Sequence, residues 1–221
     1  KAVSKEQLTI SLTGNTDAYA ANVVQMLQEL LPSKPDLLKT QTIAIKPWGI
    51  KKEGIIIPAD IAFAVRGTIT GNYNGAWQTA AKIVSLSYLW NVIRVQGGAY
   101  GTGMGARLNG NLFSYSYRDP NLENTRAAYC GMADFLEEFV QQGMPLDDMI
   151  IGTLNTIDPL LDPAGICDQE CIRYLKGITP EDIARIRREI LDTTNQELGG
   201  LVGVIREYIE TGKFCAVGDV K

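Results

Sequence analysis

Residues 94–121 read RVQGGAYGTGMGARLNGNLFSYSYRDPN and carry the patterns that decide the fold. The dipeptide Asn109-Gly110 predicts a two-residue hairpin turn, because both positions tolerate the positive φ that such turns need. After the turn, aromatic residues alternate with smaller ones, as on one face of a strand: Phe113, Tyr115 and Tyr117. We therefore predict two strands over residues 106–117, joined at this turn.

Further elements are predicted on both sides of the hairpin. Capping residues and apolar residues spaced three or four apart predict helices over 16–31, 76–93, 121–142, 145–157, 164–175, 179–194 and 195–210. Strand patterns cover 9–13 and 61–69, with a closing edge strand over 214–217 and a loop-rich stretch over 47–54. We expect one α+β domain over residues 1–221, with two layers, helices covering a largely antiparallel sheet.

Composition and charge argue against two classes of partner. The chain has 21 basic and 25 acidic residues, a net charge of −4, whereas nucleic-acid-binding domains usually carry a strongly basic surface. No apolar run approaches the roughly 18 residues of a membrane span, and the polar N-terminus does not resemble a signal peptide. We expect neither nucleic acid nor membrane as a partner. Because the chain begins with Lys1, we also expect a fragment or a processed product.

The sequence contains no histidine. Histidine is the usual general base near neutral pH and the commonest catalytic zinc ligand, so this chain alone cannot supply a Ser-His pair or a His-x-x-Glu-His zinc helix. Four cysteines are present without a Cys-x-x-Cys pair: Cys130, Cys167, Cys171 and Cys215. We interpret them as free thiols rather than metal ligands. They favour the cytoplasm, with an organelle lumen as the alternative, and a thiol enzyme using Cys167 would lack an activating histidine.

The glycine cluster within residues 97–105 admits three interpretations. Its end matches the dinucleotide fingerprint G-x-G-x-x-G/A, but that motif follows a strand and opens a helix, and here the order is reversed. The glycines also allow tight turns and close backbone approach. In the third interpretation the glycines leave the backbone uncovered, so that an extended peptide can bind there. Arg94 and Tyr100 would then grip a peptide carbonyl oxygen.

Two motifs point to a family. Arg94-Val-Gln-Gly-Gly-Ala-Tyr100-Gly, followed by Ser116-Tyr-Arg-Asp-Pro-Asn121 and Thr125, resembles the C-terminal half of M16 (pitrilysin-type) zinc peptidases, in particular the presequence-protease and falcilysin-like branch. The resemblance implies repeated α+β domains of the mitochondrial-processing-peptidase type, with two halves that close around a chamber. It also implies that the zinc lies in the N-terminal half, held by an inverted His-x-x-Glu-His helix and a distal glutamate.

On this resemblance the chain is the zinc-free C-terminal domain, inactive alone and without a cofactor of its own. Its expected partners are the N-terminal half of the same peptidase and a peptide substrate. Arg94 and Tyr100 match the family's arginine and tyrosine that reach the substrate near the metal, and the intervening Gly97, Gly98 and Ala99 are expected to contact the peptide. We assign the segment 116–121 a structural role only, as a strand end, an Asp-Pro turn and a helix cap. The alternative function is a non-catalytic scaffold subunit.

Overall fold

A computed structural model describes residues 4–34, 49, 52–71 and 73–219. The described helices are α1 (Ala20–Leu30), α2 (Ala76–Ile83), α3 (Leu122–Cys130), α4 (Met132–Gln141), α5 (Asp147–Ile157), α6 (Pro163–Leu175), α7 (Pro180–Leu191) and α8 (Asn195–Thr211). The described strands are β1 (Lys52–Ile56), β2 (Ala62–Ile69), β3 (Gly101–Ala106), β4 (Asn111–Asp119) and β5 (Lys213–Gly218). A π-helical segment, Val84–Gln96, continues directly from α2. The mixture confirms the predicted α+β class.

The chain divides into two compact units, of which the smaller combines Lys1–Trp48 with Leu160–Asp182. Its described helices α1 and α6 match the predictions, and Asp162 caps α6 by accepting a hydrogen bond from the Gly165 N–H at 2.7 Å. The strand predicted over 9–13 is wrong, because these residues are irregular. Ser11 there hydrogen-bonds the carbonyl of Cys167 through its side chain, at 3.1 Å, rather than entering a sheet.

The larger unit, Gly49–Pro159 with Ile183–Lys221, contains the sheet. Its described strands lie in the order β1-β5-β2-β4-β3, and every pair is antiparallel except β1 with β5. Two predictions are corrected here. The strand β5 lies between β1 and β2 and not at an edge, and β1 occupies part of the stretch predicted as loop. All five β1 residues are exposed. Their sequence therefore shows no alternation of apolar and polar residues, which is the pattern that predicts a half-buried strand. Residues 47, 48, 50 and 51 of that stretch lie outside the described residues.

Helices pack on one face of the sheet and form the core. The largest fully buried side chains are Ile83, Leu89, Ile93, Leu112, Tyr129, Met132, Leu136, Ile186, Ile190, Leu198, Ile205 and Tyr208. The helix predicted over 121–142 is divided into α3 and α4 at Gly131. A Cβ at Gly131 would lie 2.3 Å from the Tyr88 hydroxyl oxygen, so a side chain at this position would displace the Tyr88 ring.

The other face of the sheet remains accessible. It carries Phe63 and Val65 from β2 opposite Tyr117 and Tyr115 from β4, and each of these side chains is 37–41% exposed. We call these four residues the aromatic face. In the part of the chain that the structure describes, no helix is both long and apolar enough to cross a membrane.

Candidate functional site

Arg94 lies in the last turn of the π-helical segment, four residues after Trp90. Its guanidinium carbon stands 4.0 Å from the centre of the Trp90 ring, a cation–π contact that limits the freedom of a long side chain. Long π-helical segments are rare, and short ones often occur at functional sites. The cation–π contact with Trp90 holds the Arg94 guanidinium in a defined position at the end of this helix.

The loop from Gly97 to Tyr100 reverses the chain between helix and sheet. Gly98 has φ +81°, a conformation that favours glycine, and the Ala99 N–H donates to the Ile93 carbonyl at 3.1 Å. The Tyr100 N–H donates to the Arg118 carbonyl at 3.3 Å. The turn brings the Tyr100 ring centre to 5.8 Å from the Arg94 guanidinium carbon, with the tyrosine side chain 57% exposed.

The five residues predicted for the site thus lie together, although they differ in what they expose. Arg94 is half-buried, Tyr100 and Gly98 are exposed, and Gly97 is partly covered. The Ala99 side chain is buried, and its N–H is already used within the turn. A peptide on this loop would meet Arg94, Gly98 and Tyr100 first.

Two glycines of β3 leave space for aromatic rings of β4. A Cβ at Gly101 would lie 2.8 Å from the Tyr117 ring, and a Cβ at Gly105 would lie 2.5 Å from the Phe113 ring. Both glycines stand directly opposite these aromatic residues in the β3–β4 pairing. The absence of side chains on this face of β3 therefore lets the rings of β4 lie across the neighbouring strand.

The outer edge of β3 is covered in its second half. The Ser85 hydroxyl accepts from the Met104 N–H at 2.8 Å. Its proton faces two carbonyl oxygens, that of Ala81 at 2.6 Å and that of Met104 at 3.1 Å. The Gln78 side chain donates to the Ala106 carbonyl at 2.6 Å. The expectation that the glycine-rich stretch leaves its backbone uncovered is therefore wrong at Met104 and Ala106, because α2 and the π-helical segment occupy that edge.

The segment 116–121 forms a tightly bonded turn. The buried Asp119 carboxylate accepts hydrogen bonds from the Ser116 hydroxyl at 2.7 Å, the Asn121 N–H at 2.8 Å and the Thr125 hydroxyl. The Asn121 side chain caps α3 by accepting from the Asn124 N–H at 3.0 Å. The expected strand end, turn and helix cap are all present.

Two residues beside the pair were missed by the sequence analysis, Trp90 and Arg118. The guanidinium carbon of Arg118 lies 5.8 Å from the Tyr100 ring centre, the same distance as that of Arg94. The predicted helix over 76–93 stops one residue before Arg94, whereas the observed helical segment extends to Gln96, so that Trp90 and Arg94 lie four residues apart on one helix. The placement of Arg118 depends on backbone angles that no sequence pattern predicts.

Ring contacts connect this site with the aromatic face. The Tyr100 and Tyr117 ring centres are 5.2 Å apart in an edge-on arrangement, and Tyr117 stacks on Phe63 with ring centres 6.3 Å apart. Together Arg94 and Tyr100 present hydrogen-bond donors at the border of an apolar surface. Such a border can bind a peptide carbonyl oxygen while apolar side chains rest on the rings.

The residues of this chain do not fit a catalytic zinc ion. Histidine is absent from the sequence, and the described ranges contain no group of three Cys, Asp or Glu residues placed to hold a metal. The four cysteines are free, with Ser11 and Cys167 in side-chain contact at 3.0 Å.

Comparison with known proteins places these features in a family. Residues 52–214 match the family model described as the PreP C-terminal domain. Presequence protease 1 of Arabidopsis thaliana, chloroplastic/mitochondrial, is 33% identical over 177 residues, which are 78% of this chain and 16% of that protein. Protein HypA of Clostridium perfringens is 29% identical over 175 residues, 77% of this chain and 18% of that protein. The chain thus spans less than a fifth of either relative.

Solved structures agree on the fold. The peptidase M16 inactive domain from Pseudomonas fluorescens superposes with a TM-score of 0.60 at 13% identity, covering 94% of this chain and 52% of that one. Pitrilysin superposes with a TM-score of 0.56 at 11% identity, covering 91% of this chain and 23% of that one. Because the family model matches β1 to β4, α8 and the candidate site, the chain belongs to the PreP C-terminal domain family of M16 peptidases.

Proposed function

We propose that this chain is the zinc-free C-terminal domain of a longer M16-type peptidase, where it helps to close a chamber and positions the peptide substrate. The observation that carries the proposal is the adjacency of Arg94 and Tyr100 at an accessible border of the sheet. Within the described residues, no carboxylate lies within ion-pair distance of Arg94, so its donors remain available.

The chemistry of the pair suits a scissile carbonyl. The guanidinium offers N–H donors in a rigid fork, and the phenol adds an O–H donor on a stiff ring. Both can bind the carbonyl oxygen and stabilise the negative charge that develops on it during hydrolysis. Because Trp90 already restrains Arg94, little ordering is needed when the substrate binds.

The rest of the reaction belongs to another part of the protein in this proposal. The ligands of the zinc and the nucleophile would come from the N-terminal half, since the residues here do not fit a metal. Relatives of this chain include the chloroplastic/mitochondrial presequence protease 1 of Arabidopsis thaliana and the mitochondrial presequence protease of Xenopus tropicalis. We expect peptides as substrates and the N-terminal half as the obligatory partner. The four free cysteines agree with a reducing compartment, either the cytoplasm or an organelle lumen.

Kinetics of the full-length peptidase test this proposal. Arg94→Ala and Tyr100→Phe should each lower kcat/KM for peptide cleavage by about 10²–10³-fold, the usual cost of removing one donor to a developing oxyanion. Zinc content, measured by atomic absorption, should stay at the wild-type level in both variants. Arg107→Ala is the matched control, because Arg107 is an exposed arginine in the turn between β3 and β4 and lies over Phe113 rather than Tyr100.

Wild-type kcat/KM in both variants would reject the role of the pair and favour the scaffold alternative. A loss of zinc together with the loss of activity would instead point to disturbance of the whole protein. The control should retain wild-type kinetics.

A further inference from the structure

We propose that Arg118 is a third substrate-binding residue, which binds a carboxylate of the peptide next to the Arg94–Tyr100 pair. The inference rests on the proposed function and extends it to the class of peptide that the domain prefers. It assigns a binding role to the segment 116–121, which the sequence analysis treated as structural.

The backbone of Arg118 is held in an unusual conformation. Arg118 has φ +50°, and within the described ranges it is the only non-glycine residue with a positive φ. Such a conformation is unfavourable for a residue with a Cβ, and it persists only where its surroundings determine it. The surroundings do so here. The next residue, Asp119, is fixed by Ser116, Asn121 and Thr125, and the Arg118 carbonyl accepts from the Tyr100 N–H.

At this residue the alternation of β4 is interrupted, because Tyr117 and Arg118 are both exposed in succession and the β2–β4 register shifts beside them. Asp119 points inward and is 2% exposed, whereas Arg118 is exposed and reaches the Tyr100 ring. Arg94 and Arg118 therefore both place a guanidinium carbon 5.8 Å from the centre of one ring. The strained turn thus adds a second positive charge to the site.

Both charges lack a carboxylate partner among the residues that the structure describes. Asp60, Glu123 and Asp219 line a cavity of about 330 Å³ together with Asp119, but no ion pair joins any of them to Arg118. Two guanidinium groups at one ring, in a protein of net charge −4, make a local positive site on an otherwise acidic chain. An anionic ligand complements it.

Because the proposed substrate is a peptide, the anion that complements Arg118 is a carboxylate. The planar fork of a guanidinium matches the two oxygens of a carboxylate, and such charge-assisted bonds are stronger than bonds to a neutral carbonyl. In a peptide, the carboxylate is either the free C-terminus or an Asp or Glu side chain near the scissile bond. Arg94 and Tyr100 bind the carbonyl oxygen, and Arg118 binds the carboxylate beside it.

Four peptides of one length and sequence test the inference in the full-length peptidase. They combine a free or amidated C-terminus with Asp or Asn near the cleavage site. Arg118→Gly removes the guanidinium and suits the turn, because glycine adopts positive φ readily, so its melting temperature should equal or exceed that of the wild type. Arg118→Lys keeps the charge and loses the fork. Arg107→Gln is the matched control.

We expect KM of Arg118→Gly to rise roughly ten-fold or more for the peptides that carry the recognised carboxylate. For the doubly neutral peptide, KM should stay unchanged. For the peptides with the recognised carboxylate, KM of Arg118→Lys should lie between KM of Arg118→Gly and KM of the wild type. The peptide pair that responds identifies the source, either the C-terminus or the acidic side chain. Wild-type KM for all four peptides, or an equal change for all four, would overturn the carboxylate site.

The same assay separates this inference from the proposed function. Lost activity in Arg94→Ala and Tyr100→Phe, with wild-type behaviour of Arg118→Gly, would overturn only the role of Arg118. Unchanged activity in all three variants would overturn both.

Discussion

Single residues fix how closely the helix and the loop of the candidate site approach each other. Gly97 follows the π-helical segment and is crowded by the carbonyl oxygens of Ile93 and Val92 and by the side-chain amide of Asn124. A Cβ at this position would lie 2.6 Å from the Ile93 carbonyl oxygen and 2.8 Å from the Asn124 amide nitrogen. The path from Arg94 to Tyr100 therefore depends on the absence of a side chain at Gly97.

Replacement of Gly97 should consequently destabilise the protein. We predict that Gly97→Ala lowers the free energy of unfolding by about 1–3 kcal/mol, the usual cost of forcing a methyl group into a packed site. Urea denaturation at pH 7 provides the measurement. The control is Gly203→Ala in α8, where a Cβ meets no atom within 4 Å, so the higher helix propensity of alanine should stabilise the protein. Equal effects of the two substitutions would contradict this packing argument.

At this scale the sequence predicts some members of the site and not others. Arg94 and Tyr100 were identified by their six-residue spacing around two glycines, and the structure brings them together. Trp90 and Arg118 also approach these residues, through contacts with Arg94 and Tyr100. The contact between Trp90 and Arg94 lies within one helical segment. The approach of Arg118 to Tyr100 depends on the turn at Gly98 and on the positive φ of Arg118, and such angles follow from tertiary contacts rather than from local sequence.

The elements around the site are connected through a buried polar contact between α8 and the sheet. The Tyr208 hydroxyl is hydrogen-bonded to the Arg66 carbonyl oxygen at 3.0 Å and to the Ser114 hydroxyl at 2.9 Å. Burial raises the pKa of Tyr208 from 10.0 to about 12, although the hydrogen bond with Ser114 and the charge of Arg66 oppose the shift. The folded protein therefore holds this proton more tightly than the unfolded chain does.

That difference in pKa predicts alkaline instability with a defined sign. The unfolded chain loses the Tyr208 proton near pH 10 and the folded protein near pH 12, so this contribution is complete below pH 10 and is lost as the pH rises towards 12. Tyr208→Phe should cost about 1–3 kcal/mol at pH 8, because Ser114 and the Arg66 carbonyl lose their partner. Its stability should then fall less steeply than that of the wild type between pH 10 and 12. Parallel stability curves, from urea titrations across this range, would contradict the assignment.

Most elements were predictable because their signals are local. The capping residue Thr194 and Glu197 form a reciprocal capping box at the start of α8, and the Asn109-Gly110 turn joins β3 to β4. The strand β1 and the interior position of β5 were not predicted, because their pairing joins Lys52–Ile56 to residues about 160 positions later in the chain. A pairing of this range leaves no pattern in either short segment.

At the scale of the whole molecule, the layered arrangement decides what the domain can do. Helices occupy one face of the sheet, and the opposite face remains accessible with aromatic residues that lead to Tyr100. The sequence predicted the α+β class and the family. It did not predict that the rings of β4 would lie over the glycines of β3, because this depends on the cross-strand register.

The central claim concerns two side chains acting on a substrate from a domain without a metal. A crystal structure of the full-length peptidase, inactivated in its N-terminal half and bound to an uncut peptide, tests that claim most directly. Our account predicts that the Arg94 guanidinium and the Tyr100 hydroxyl lie about 2.7–3.2 Å from the scissile carbonyl oxygen. A peptide bound in the chamber with both side chains out of hydrogen-bond reach of its backbone would contradict the account.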